Sequence, residues 1–154
     1  MTLYHIAEQI EGSGIGQTIR ESSWLFPAIE ICHLLALATL GGSVLLISLS
    51  VFGTGLQLPA KQVLGYSKPY MTGAVITLII SGTLLGISET LKLLDREAFL
   101  VKMIALACSL LFTYLVFVPM VDKDKTGAAP KAVAGLTIAL WLTVAMAGRW
   151  IGFS

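Results

Sequence analysis

Charge is scarce in this chain. Only 12% of its 154 residues are Asp, Glu, Lys or Arg, about half of the ~25% found in soluble domains. There is no basic run, and the formal net charge is +1. Neither observation points to nucleic acid, and no such partner is expected. Cysteine is limited to Cys32 and Cys108. Each falls inside an apolar run, so both read as buried free thiols that act as small hydrophobes. The first 20 residues are too polar for the core of a signal peptide, so insertion is expected to use the first spanning helix. No nucleophile–base pair and no set of metal ligands is apparent, which points away from catalytic activity of its own.

What is there is apolar: 56% of the residues are hydrophobic, with a mean hydropathy of +0.86. The expected fold is an all-α membrane protein, a bundle of four transmembrane helices preceded by an amphipathic interfacial helix. Residues 1–21 form the interfacial segment and 22–154 the bundle. In the first segment Leu3, Ile6 and Ile10 recur at helical spacing opposite Glu8, Gln9 and Glu11. That pattern suits a helix lying on a bilayer surface. Gly12, Gly14 and Gly16 are expected to loosen the chain after it, and His5 reads as a surface residue.

The first spanning run is Trp24 to Gly53. A hydrocarbon core of about 30 Å needs ~20 apolar residues as a helix, so the run is long enough. The next is expected from Pro69 to Leu94, with Lys61 and Lys68 in the loop before it. The third runs from Ala98 to Val121 and the fourth from Lys131 to Phe153. Gly41, Gly42, Gly82, Gly86 and Gly148 are expected at helix contacts, because small residues let backbones approach. Loops opposite the termini carry Lys61, Lys68, Lys123, Lys125 and Lys131, against Arg20, Lys92, Arg96 and Arg149 on the terminal side. The excess of Lys and Arg sets orientation. It favours cytoplasmic loops and periplasmic termini in a bacterial inner membrane.

Depth then gathers the ionisable residues. At 1.5 Å per residue, Glu30 and His33 lie roughly 9 and 13 Å in from Trp24. Glu89, Lys102 and Arg149 each lie about a turn in from the same side. All five are expected to share one half of the bilayer, where an unpaired charge is costly. Expected pairs are Glu89 with Lys102 and Glu30 with Arg149. One reading is a network that only fixes helix register. The other is a site open to the terminal side, with His33 its deepest member. His33 is the one intramembrane histidine, and Met146 and Met103 come to similar depth, so a His/Met haem b is one candidate.

The stretches WLFPAIEICHLLALATLGG, SGTLLGISETLKLLDREAFLVKMIAL and LWLTVAMAGRWIGF resemble an uncharacterised family of small bacterial four-helix membrane proteins. Those proteins are distantly similar to the membrane domain of copper-resistance D proteins and to cytochrome b561-like bundles. The resemblance covers the chain from about Ile10 onward. It is carried by Pro27-x-x-Glu30-x-x-His33, by Phe99-x-x-Lys102, and by Gly148-Arg149-Trp150. The family's first helix usually ends with Asp-Leu-Arg, where this chain has Ser48, Leu49 and Ser50. The resemblance implies a four-helix fold and no particular activity.

Three functions are expected as alternatives. The first is a site at His33, with Glu30, Lys102, Arg149, Trp150 and Met146 around it, binding haem b or a quinone for membrane redox chemistry. His33 is also the sole candidate metal ligand. The second is a non-catalytic accessory subunit of a larger membrane complex, or a homo-oligomer, packing through its small-residue faces. The third is a copper or proton permease, an analogy at the level of fold alone.

Overall fold

In the computed structural model residues 3–55, 57–91 and 97–151 are described, with side chains for all of these except 3, 4, 97, 98 and 148–151. The N-terminal segment is two helices, α1 (Leu3–Glu11) and α2 (Gly14–Glu21). The bundle contains α3 (Leu25–Phe52), α4 (Ala60–Ser88), α5 (Glu97–Phe112) and α7 (Ala128–Ile151). A π-helical turn (Thr113–Phe117) joins α5 to α6 (Val118–Asp122), and the three make one rod. Four helices are long and apolar enough to cross a membrane: Leu25–Phe52, Ala60–Ser88, Phe99–Asp122 and Ala128–Ala147. The chain is a multi-pass helical membrane protein, and no strand occurs among the described residues.

The buried positions follow a coiled-coil spacing. On α3 they include Ala36, Leu40, Ser43 and Ile47; on α4, Leu64, Ser67, Met71, Ala74, Leu78 and Ser81; on α7, Ala134, Thr137, Trp141 and Val144. Steps of three and four alternate, the seam of helices wound at a shallow left-handed angle. The seam is rich in Ser and Thr, while large apolar side chains such as Leu35, Ile79, Leu115 and Leu142 face outward. In lipid, outward Leu and Ile cost nothing, and small inward residues let helices close up. Each inward hydroxyl still needs a partner. Ser43, Ser81, Ser109, Thr113 and Thr137 donate to the carbonyl four residues back.

The third rod departs from the alternation. Its buried residues, Ser109, Thr113, Phe117 and Val121, are four apart throughout. Such steps drift around an ordinary helix of 3.6 residues per turn, and a wider π turn takes the drift back. The N–H of Val118 accordingly bonds the carbonyl of Thr113, five residues back. Phe117 is thereby held fully buried, and the Thr113 hydroxyl accepts the indole N–H of Trp141 at 3.0 Å.

Several boundaries differ from expectation, each for a local reason. α4 begins at Ala60 rather than Pro69, and Pro69 lies inside it. Pro59 precedes the first turn, its carbonyl accepting from the N–H groups of Gln62 and Val63. Lys61 and Lys68 are therefore helical, and Lys68 pairs with Asp122 at 3.6 Å. α3 stops at Gly53, whose φ of 75° is left-handed. The N–H groups of Gly53 and Thr54 cap the carbonyls of Ser50 and Leu49, a Schellman ending that favours Gly. Cys32 and Cys108 are free but exposed on the outer surface, not buried.

The glycines after α1 build structure instead of loosening it. Ser13 caps α2, its hydroxyl accepting from the Gly16 N–H. A Cβ on Gly16 would stand 2.7 Å from the Glu11 carbonyl oxygen and 3.2 Å from that of Ile87, so only Gly allows this approach. Glu11 then ties the segment down: one carboxylate oxygen accepts from the Arg20 guanidinium, the other from the Leu91 N–H at 2.8 Å. Ala7 and Ile19 are buried against the bundle, while Ile6, Ile10 and Ile15 remain exposed beside it. That outward apolar stripe suits the membrane interface.

Candidate functional site

Pro27, in the first turn of α3, is tolerated because the N–H it lacks would be unpaired there anyway. One and two turns on, Glu30 and His33 point from the terminal-side end of the helix. Glu30 is exposed and His33 is half-buried against α4. His33 meets α4 at Ser81 and Gly82. Its ring nitrogen Nδ1 lies 2.9 Å from the Ser81 hydroxyl. A Cβ on Gly82 would come within 3.3 Å of the ring carbon Cε1, so the imidazole lies directly on the glycine. The Ser81 hydroxyl also lies 2.6 Å from the carbonyl oxygen of Thr77.

Lys102, half-buried on α5, is the charged neighbour of this pair. Its charge is near enough to act on both His33 and Glu30 without direct contact, so three helices contribute polar groups to this region. Among the described residues Lys102 has no ion-pair partner, and neither has Glu30. The expected pairing of Lys102 with Glu89 is not formed; Glu30 is the acid whose charge acts on it, at longer range than an ion pair. Glu89 sits at the C-cap of α4 and has contacts of its own. The side chains of Arg149 and Trp150, expected in this layer, lie outside the described residues, as does the expected contact at Gly148.

The methionines are not gathered here. Met146 is 73% exposed on α7 and Met103 is 45% exposed on α5, both turned outward. A His/Met haem needs both side chains on one iron, so the haem reading rests on His33 alone. Among the described residues no group of three or more His, Cys, Asp or Glu could hold a metal ion. A cleft of about 450 Å³ lies at the opposite end, between Phe52, Pro59, Val121, Lys125 and Lys131.

Of the glycines expected at helix contacts, a Cβ added at Gly82 would press on His33 at 3.3 Å and one at Gly41 would meet Trp141 at 4.0 Å, while one at Gly42 or Gly86 would meet nothing within 4 Å. The contact at Gly16 was not foreseen. Nor was the link from Glu11 to Arg20 and Leu91, because residues 9 and 80 apart share no periodic signal. Ser81 carried a signal that was available: it continues the three-four spacing of Ser67, Met71, Ala74 and Leu78.

Against known proteins, a family model matches residues 8–154. The chain belongs to the family of unknown function DUF6644. No curated protein and no solved structure matches it, and the distant likeness to copper-resistance D and b561-like bundles is not shown. Membership spans α2 and every helix of the bundle, including Glu30, His33, Ser81 and Lys102.

Proposed function

We propose that the protein binds a membrane quinone at the polar layer formed by Glu30, His33 and Lys102. One observation carries the reading: the Lys102 charge reaches both His33 and Glu30, yet among the described residues Lys102 forms no ion pair. A charge costs roughly 2.5–3.5 kcal/mol at a helix centre and less a turn from the end, where Lys102 stands. Ionisable groups within spanning helices pair with one another or face a cavity or pathway. A quinone is apolar enough to arrive through the bilayer; its carbonyl oxygen accepts from the Lys102 ammonium, and in the reduced form its hydroxyl donates to the imidazole. The exposed Glu30 completes a polar edge from which protons are exchanged with the aqueous side. The protein sits in a bacterial inner membrane with periplasmic termini, in keeping with the lysines at Lys61, Lys68, Lys123, Lys125 and Lys131.

Solvent extraction of the purified protein followed by chromatography tests this. Quinone at near-stoichiometric amount is expected, falling at least tenfold in His33→Ala and Lys102→Ala. A Soret band in the visible spectrum would favour single-histidine haem instead. A colourless, quinone-free protein that co-purifies with a stoichiometric partner would replace both with an accessory role. Reporters fused after Ser154 and within the Asp122–Lys131 loop check the orientation.

A further inference from the structure

The hydroxyl of Ser81 has one hydrogen and two neighbours. It lies 2.6 Å from the Thr77 carbonyl oxygen and 2.9 Å from His33 Nδ1. A carbonyl can only accept. Two oxygens at 2.6 Å without a hydrogen between them would repel, so the hydroxyl hydrogen points to Thr77. This back-bond to the preceding turn is the usual habit of a helical serine. What Ser81 offers His33 is therefore a lone pair, and Nδ1 must bring the hydrogen.

We infer that Ser81 is a positioning residue. It holds His33 in the tautomer protonated on Nδ1, so that in the neutral ring Nε2 is the basic nitrogen. Partners on one ring nitrogen set the role of the other. Nε2 has no hydrogen-bond partner among the described residues. Gly82 belongs to the same device: with only hydrogen on its α-carbon, it leaves room for the Cε1–Nδ1 edge of the ring beside Ser81. The inference rests on the reading of His33 as a ligand-binding residue, and it narrows that ligand. An acceptor nitrogen selects a donor, so the quinol hydroxyl engages His33, while a quinone carbonyl must take its hydrogen bond from Lys102.

Nitrogen-15 NMR of labelled full-length protein in lipid nanodiscs decides this. The chain has two histidines, so a His5→Gln variant assigns His33 at once. At alkaline pH, with the ring neutral, a pyrrole-type shift is expected at Nδ1 and a pyridine-type shift at Nε2. The reverse pattern, or an even mixture, overturns the inference in the wild-type protein alone, whether or not any variant folds. Ser81→Ala should lose the single-tautomer pattern and Gly82→Ala should perturb it; an unchanged pattern in Ser81→Ala overturns the role of Ser81. Trimethylhydroquinone should then shift the Nε2 resonance, and its dimethyl ether, which has no donor, should not. If neither probe acts while the tautomer is as stated, the quinone reading fails and the positioning role of Ser81 stands.

Discussion

The two ends of the bundle are built differently. Toward the loops, Leu40, Ile47, Leu64, Met71, Phe117, Val121 and Ala134 are buried in one apolar cluster. Toward the termini, no described residue is buried on α3 before Ala36 or on α5 before Ser109. The α4 residues buried nearest that end are the serines Ser81 and Ser88. Polar Glu30, His33 and Lys102 occupy this thinner end, and α1 and α2 pack against it. An end packed as densely as the loop side has no space for partly solvated polar groups, and the thin end alone gains little from packing. Dense packing at one end leaves the other free to hold groups that cost stability.

The sharpest test of this contrast is Phe117→Ala at the loop end. Truncating a fully buried Phe costs about 3–5 kcal/mol, so unfolding in detergent should move to much lower temperature. Leu34→Ala, outward on α3 at the terminal end, should leave it within about 0.5 kcal/mol of wild type. Equal losses in the two variants would erase the distinction between the ends.

The next largest effect is local. Gly16→Val places a Cβ in collision with the Glu11 and Ile87 carbonyl oxygens, and α2 must lift away. Hydrogen exchange should accelerate at least tenfold over residues 14–21 while the loop-side core stays protected. Glu11→Gln, which weakens the hold on Arg20 but keeps a carbonyl for Leu91, should do the same more mildly. Uniform exchange across the chain in either variant would show that the N-terminal helices and the bundle unfold as one unit.

Two smaller changes should stabilise. Ser48 is fully buried, and its hydroxyl has no hydrogen-bond partner among the described residues. Removing such a group in Ser48→Ala should gain about 1 kcal/mol, read as a higher midpoint of thermal unfolding. Gly86→Ala meets nothing within 4 Å and should gain about 0.5 kcal/mol from the stiffer unfolded chain. A loss of stability in Gly86→Ala would mean that its open side is covered, by a second copy or another subunit.

The four spans were legible because hydrocarbon thickness demands a length of apolar chain, and the chain shows that length four times over. The height of Glu30, His33 and Lys102 along their own helices was legible too, since 1.5 Å per residue converts position into height. Which side of each helix faces inward was not. A helix that is apolar all round has no amphipathic stripe, and in lipid Leu and Ile serve on either side: Leu40 and Ile47 face inward, Leu35 and Ile79 outward. Partners were equally hidden. Only the tertiary structure puts Ser81 against His33, Lys102 beside Glu30, and Glu11 under Leu91, because each pair depends on how two helices rotate about their own axes. Hydropathy is a sum along the chain and contains no such angle; small-residue packing and hydroxyl geometry set it once the helices meet.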